Sequence, residues 1–328
     1  MAVLLKIFQL DTAPGEELEV PVGMILLAYR GSIAHGMYTP KEDPNSIDDT
    51  DITGFAVGRR EHYFGLEEWG SRGTKEFWQG HYDCVWYELR KAFSLLLQGN
   101  PNILSALWLR KNSYIYLSDE GRELLAHRHL FVGKHVYNSF AGYASAQMLK
   151  MESREPGELR EYLGVTYALK QREAHPTDQN LPDDLGDYTD CSAWSTDKLL
   201  ARYRHFIKKD LNLGYMGDKR KKLVLEHGFD AKNGSHCIRL LRMCKEFLET
   251  GAMQVYRTTD AQELLDIKAG RWPLARVKEL AEQLFAEIKE VRDRSALPPE
   301  PDKAAAQQLL IRLIESYLSH SDEKIMPA

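Results

Sequence analysis

Two aspartates one residue apart, in the run Asp49-Thr50-Asp51-Ile52, carry the clearest chemical signal in this 328-residue chain. Alternate side chains of a strand share a face, so both carboxylates would project together while Thr50 and Ile52 face the other way. Two such carboxylates repel unless a cation lies between them. Hard oxygen donors of this kind suit Mg²⁺, with Mn²⁺ as a substitute, and Mg²⁺ is commonly held by one or two carboxylates plus substrate phosphates. Upstream, an apolar run over 24–28 leads to Gly31-Ser32, whose backbone N–H groups and hydroxyl could seat a phosphate. Together these predict a site for a metal-bound nucleoside triphosphate. Asp48 competes with Asp49 for the first acidic position. Asp49 is preferred because 49 and 51 share a face and the apolar residues after them continue the strand. Alone, an Asp-x-Asp pair is more often two solvated surface acids, and Ser32 a turn or N-cap residue; their coupling to an upstream strand favours the metal site.

The elements that must position these residues read as follows. Residues 1–22 suggest a short strand, a Pro14-Gly15 turn and an acidic connector. Residues 59–80 form a polar, aromatic, glycine-punctuated loop, a mobile connection or else a lid or acceptor guide. A short strand then passes into a helix whose buried stripe includes Trp86, Leu89, Phe93, Leu96 and Leu97. Gly99-Asn100-Pro101 stops it, and a second helix follows over 102–109. Beyond about 117 only helical patterns remain: a helix capped by Ser118, others near 133–152 and 157–172, one after Ser195 and two C-terminal ones over 274–294 and 303–320. Residues 174–194 read as an inserted loop of low order. On a helix beginning near 230, Lys232, His236 and Arg239 share one face, while Cys237, Leu241, Cys244 and Leu248 form another. The basic face could neutralise phosphates or pair with acids of the first half. Lys219, Arg220, Lys221 and Lys222 form a charge run, a solvated face or a nucleic-acid contact in equal measure.

The Gly-Ser turn followed by an Asp-x-Asp strand resembles the polymerase-β-like nucleotidyltransferase superfamily. Gly31-Ser32-Ile33-Ala34-His35-Gly36 with Asp49-Thr50-Asp51-Ile52-Thr53-Gly54 is similar to a subgroup of predicted bacterial and phage nucleotidyltransferases that includes the set named for association with RNA ligases. The spacer between Ser32 and Asp49 is longer than the superfamily's, with a loop insertion around Lys41-Glu42-Asp43-Pro44-Asn45. The resemblance covers 23–110 and 225–285. It implies a third carboxylate on an adjacent strand, assigned to Asp83 with Glu88 as the fallback; on sequence physics alone Asp83 is an ordinary acid or a helix N-cap. It further implies an α/β (α+β) fold with a mixed sheet, residues 1–116, followed by an all-helical domain, residues 117–328, closing over the cleft. The expected activity is transfer of an NMP from an NTP such as ATP to a hydroxyl, in the EC 2.7.7 class. Asp49, Asp51 and Asp83 would hold Mg²⁺ or Mn²⁺, and Gly31, Ser32, Lys232, His236, Arg239 and Arg242 would contact the nucleotide. The acceptor read first is an RNA or DNA 3′ end reached through residues 219–222, in an RNA repair setting. A protein- or small-molecule-nucleotidylating enzyme of toxin type, or a catalytically silent nucleotide-binding protein, are the alternatives.

Composition bounds the rest. With 43% apolar and 28% charged residues the chain reads as an ordinary globular protein. Its formal charge of −5 provides no global attraction for nucleic acid, so any such surface must be local. Cys84, Cys191, Cys237 and Cys244 lack zinc-like spacing and read as reduced thiols. No apolar stretch is long enough to span a membrane, and a cytoplasmic location is expected. Oligomeric state and base preference leave no sequence signal.

Overall fold

The computed structural model describes residues 2–6, 17–40, 46, 48–152, 156–172, 188–208 and 218–323. An antiparallel hairpin of β1 (Ala2–Lys6) and β2 (Glu17–Pro21) opens the chain, so the acidic connector expected before residue 22 is a strand at its end. β3 (Met24–Tyr29) is buried at all six positions, as an unbroken apolar run demands of a strand covered on both faces. After it come the single-turn α1 (Gly31–Ala34), then β4 (Thr50–Ala56), α2 (Arg60–Phe64), β5 (Thr74–Gln79) and β6 (Tyr82–Glu88). α3 (Leu89–Leu97), α4 (Pro101–Leu104), a 3-10 turn at Ser105–Leu107 and β7 (Tyr114–Leu117) complete the sheet region. The strand order is β5-β6-β4-β3-β7, with β4 and β6 parallel and the other neighbours antiparallel.

The helical region holds α5 (Asp119–Ala126), α6 (Val136–Glu152), α7 (Pro156–Gln171), α8 (Thr196–Lys208), α9 (Asp218–His227), α10 (Ala231–Thr250), α11 (Ala261–Lys268), α12 (Leu274–Arg294) and α13 (Lys303–Glu323). Local chemistry sets several of these boundaries. Ser118 accepts the Gly121 N–H at 3.2 Å at the start of α5. Asn100 accepts the N–H groups of Asn102 and Ile103 at 3.1 and 3.3 Å ahead of Pro101, a residue suited to a first helical turn. Gly251, at φ +70°, ends α10 in the left-handed conformation that glycine tolerates best.

Apolar side chains gather in three clusters. The largest runs from the front face of the sheet (Ile25, Ala28, Phe55, Val57) through α3 and α6 to α10 and α12 without a break. Cys237, Leu241, Cys244 and Leu248, the apolar face anticipated for α10, are all fully buried in it. Behind the sheet, Leu18 and Val20 of the hairpin pack on Leu27, Ile52, Cys84 and Trp86. A third cluster joins α7, α8 and α9 with Cys191. A cut between 116 and 117 would fall inside β7, and the largest cluster crosses it.

Residues 59–80 are not one loop. They contain α2 and the edge strand β5, in which Lys75, Glu76 and Trp78 are exposed and no side chain is fully buried, so it carries too little apolar repetition to be recognised. The helix expected over 102–109 is α4 plus the 3-10 turn. Asp83 is the second residue of β6 and not a cap; Glu88 occupies the N-cap position of α3. The Lys41–Asn45 insertion and residues 173–187 lie outside the described residues. No described helix is long and apolar enough to cross a membrane.

Candidate active site

Parallel pairing of β4 with β6 places Asp51 directly opposite Asp83. Both side chains project from the front face, because the residues on either side of Asp83, Tyr82 and Cys84, are buried behind the sheet. Across the join of β3 and α1, Arg30 reaches over the pair: its Nη2 lies 2.8 Å from Asp83 Oδ2 and 3.5 Å from Asp51 Oδ1. The Arg30 backbone N–H donates to the Asp51 carbonyl at 2.9 Å, which fixes the turn against β4. Gly31 is required at that turn. Its φ is +60°, and a Cβ there would sit 1.9 Å from Asp51 Oδ2. Ser32 follows with its hydroxyl buried and without a hydrogen-bond partner, and the Arg30 Nε is equally unsatisfied. Buried polar atoms are nearly always paired, so two orphans beside an acidic pair mark a place shaped for a ligand.

Burial pushes the Asp51 carboxyl up to about 6; Arg30 and Lys232 pull it down while Asp83 and Asp49 push it further up. The same interactions locate Lys232 and Asp49 beside the pair. Asp49 itself precedes β4 and is exposed, so the strand-face relation expected between 49 and 51 is replaced by proximity across the strand's entry. Asp48 is the inward-facing neighbour: it accepts the Thr39 N–H at 2.9 Å and the Lys268 ammonium, which also donates to the Met37 carbonyl at 3.1 Å. That buried pair ties the loop before β4 to α11. Glu88 is five residues along β6 from Asp83, roughly 17 Å at strand spacing, where it accepts the Tyr63 hydroxyl at 2.8 Å and pairs with Arg90. It has no place in the acidic cluster.

The basic face of α10 divides. Lys232 approaches Asp51 and Lys268. His236 is half-buried, with Nε2 unpartnered, and burial holds its pKa well below the ordinary histidine range. Arg239 is buried on His35, donating from Nη1 to His35 Nε2, so it braces the chain just after the Gly-Ser turn. Arg242 turns away into ion pairs with Asp260 at 2.9 Å and Glu263 at 2.8 Å, and is not brought to the acids. Arg220 likewise faces inward. Its guanidinium grips Asp230 at 2.8 Å and Asn233 at 3.1 Å, holding the start of α10, and so it is not a free member of the basic run. The side chains of Lys219, Lys221 and Lys222 lie outside the described residues.

Among the described residues no three His, Cys, Asp or Glu side chains stand as a formed metal site. Asp51 and Asp83 nevertheless fit a divalent cation in donor type and register, and they already share one positive group, the Arg30 guanidinium. Sequence reasoning did not single out Arg30 or Lys268. A cation immediately preceding the Gly-Ser turn was the available sign of the first; the second is a single lysine on α11 that only the tertiary packing distinguishes.

A mixed sheet carrying an aspartate pair in register beside a Gly-Ser turn, followed by a helical region, is the arrangement of a polymerase-β-like nucleotidyltransferase. Residues 12–172 match the family described as the RNA repair pathway DNA polymerase beta family. The match takes in the whole sheet and ends just past α7; the resemblance drawn at 225–285 lies beyond it. No curated protein matches the chain.

Proposed function

We propose that the protein transfers a nucleoside monophosphate from an NTP to the 3′ hydroxyl of a nucleic acid, RNA before DNA, releasing pyrophosphate. The observation that carries this reading is the Asp51–Asp83 pair in parallel register beneath Arg30, next to the unpartnered Ser32 hydroxyl. The RNA repair setting in the family's description favours RNA.

Asp51 and Asp83, with Asp49 at the strand's entry, would hold Mg²⁺ or Mn²⁺. Such an ion supplies charge neutralisation for the triphosphate and acidifies the attacking hydroxyl. The acceptor oxygen forms a bond to the α-phosphorus as the bond to the bridging oxygen breaks, and the electron pair leaves on pyrophosphate. The hydroxyl proton passes to a carboxylate oxygen of the pair. The Ser32 hydroxyl would donate to a phosphate oxygen and Lys232 would offset the charge that grows on the leaving group. Arg239 acts one step back, holding His35 and with it the turn that positions Ser32. Such chemistry depends on placement and charge rather than on a strong nucleophile.

The test supplies each labelled NTP with Mg²⁺ or Mn²⁺ and either RNA, DNA or the protein alone. Label is expected in oligonucleotide. Asp51→Asn and Asp83→Asn should each lower transfer by about a thousandfold or more, the scale on which removing charge-stabilising groups acts, with the thermal midpoint retained. Turnover at the wild-type rate in the double variant would remove the reading.

A further inference from the structure

β5 is an edge strand, and its Trp78 is 61 % exposed; none of the other five tryptophans is exposed. Trp78 stands directly opposite Asp83, which in turn stands opposite Asp51. Residues opposed across strands share a face. The neighbouring Phe77 confirms the direction: it packs behind the sheet, edge-on to Trp86 with ring centroids 5.6 Å apart. The front face therefore carries a row of Trp78, Asp83 and Asp51, one strand spacing, roughly 4.8 Å, between successive backbones. Ser32 and Lys232 lie toward the Asp51 end of that row, and Trp78 closes the other. Tyr87, four residues along β6 from Asp83, lies on the same face.

We propose that Trp78 is the platform on which the terminal base of a single-stranded acceptor stacks while its 3′ hydroxyl lies at Asp83 and Asp51. The inference rests on the nucleotidyl-transfer reading above and names its acceptor more closely. A ribose separates its 3′ hydroxyl from its base by about one strand spacing, roughly 5 Å. A terminal nucleoside with its hydroxyl at the acidic pair thus brings its base over β5. A serine or threonine hydroxyl of a protein acceptor brings no planar group to that position. An exposed indole is the side chain best suited to such a contact, and stacking accepts any base. Glu76, on the same face of β5, disfavours a phosphate there, so the platform meets a base and not the phosphodiester chain.

The experiment compares wild type with Trp78→Ala and Trp78→Phe, using a fluorescently labelled single-stranded RNA and a matched RNA whose 3′ nucleotide is abasic. Anisotropy without NTP gives the acceptor Kd, and steady-state transfer gives separate KM values for acceptor and NTP. Trp78→Ala should weaken binding of the intact RNA by about tenfold, the scale of one lost base–aromatic stack, for adenine and uracil ends alike, with the NTP KM unchanged. Trp78→Phe should keep most of the affinity. The abasic RNA should bind wild type as weakly as the intact RNA binds Trp78→Ala, and should bind both proteins equally. Equal binding of intact RNA by all three proteins would overturn the proposal. So would a change confined to the NTP KM, which would place the nucleotide's own base on the indole. Label entering protein and never RNA, still dependent on Asp51, would overturn the acceptor while leaving the transfer chemistry standing. Loss of the Asp51 dependence would instead fail the parent reading.

Discussion

Arg257 and Arg30 show two opposite uses of the same side chain. Arg257 is 3 % exposed and makes five hydrogen bonds: two to Glu246 at 2.7 Å, two to Asp260 at 2.8 and 2.9 Å, and one to the Gln254 carbonyl at 3.1 Å. Burial works against its charge, and the two carboxylates more than reverse the effect, holding its pKa above the usual arginine range. Arg30 is about a third exposed, is shared unequally between Asp83 and Asp51, and leaves its Nε without a partner. A saturated guanidinium is a clamp, because nothing is left to exchange. An unsaturated one above two carboxylates is a counter-ion that a ligand can displace.

The comparison can be broken first at the clamp. Arg257→Met leaves Glu246 and Asp260 facing a hole in their charge balance, and losing one partner of such a pair costs about 3–5 kcal/mol. For a chain of this size that corresponds to a fall of roughly 10 °C in the unfolding midpoint. A thermal melt of the variant within a degree of wild type would show that the saturated network holds nothing.

At the counter-ion the expected sign is reversed. Arg30→Met removes the cation that any metal must displace, so Mn²⁺ binding, followed by paramagnetic resonance of the free ion, should tighten by about tenfold. A larger change is not expected, because side chains this exposed are screened by solvent. In the absence of metal the same variant should melt lower, with Mn²⁺ restoring more of the midpoint than it adds to wild type. Metal binding weakened by the substitution would make Arg30 a helper of the metal and not its competitor.

These contrasts also show which parts of the molecule could be read from the chain. β3 was legible because the apolar run over 24–28 leads to Gly31-Ser32, and α10 because Lys232 and Arg239 fall on one face with cysteines and leucines on another. Asp51 was legible from its spacing to Asp49, although Asp49 stands outside the strand. Asp83 was not: an acid at the second position of a short strand has no periodic signature, and it was placed by resemblance. β5 was missed because an edge strand with Lys75, Glu76 and Trp78 exposed lacks the apolar alternation that identifies strands. Asp48 with Lys268, and Arg257 with Glu246, were beyond reach for another reason. Contacts spanning 220 residues in the first case, or gathered by the turn between two helices in the second, depend on packing that no local pattern encodes.

Arg239 stands between the two extremes and supplies the smallest test. It is buried like Arg257, but its hydrogen-bond partners are His35 Nε2 and, at 3.5 Å, the Met243 sulfur, neither of them charged. Burial and the nearby Arg257 lower its pKa to about 9, against the pull of Asp260. A guanidinium can only donate, so His35 Nε2 must accept and the imidazole proton sits on Nδ1, donating to the Val255 carbonyl at 2.9 Å. Burial, then Arg239, holds the His35 pKa well below its ordinary value, with His236 and Arg257 adding to the effect and the Val255 carbonyl opposing it. The unfolded chain therefore binds a proton near pH 6.5 that the folded chain refuses. The sign follows: this contribution is fully present above that value and is lost as pH falls below it, at up to about 1.4 kcal/mol per pH unit for one group. His236 adds a second refusal of the same sign. Unfolding midpoints measured from pH 7.5 to 5.5 should fall on acidification, and His35→Gln, which cannot take up the proton, should flatten the slope by one proton's worth. Parallel slopes for the two proteins would mean that His35 is protonated in the folded state, and that Arg239 finds its compensation elsewhere.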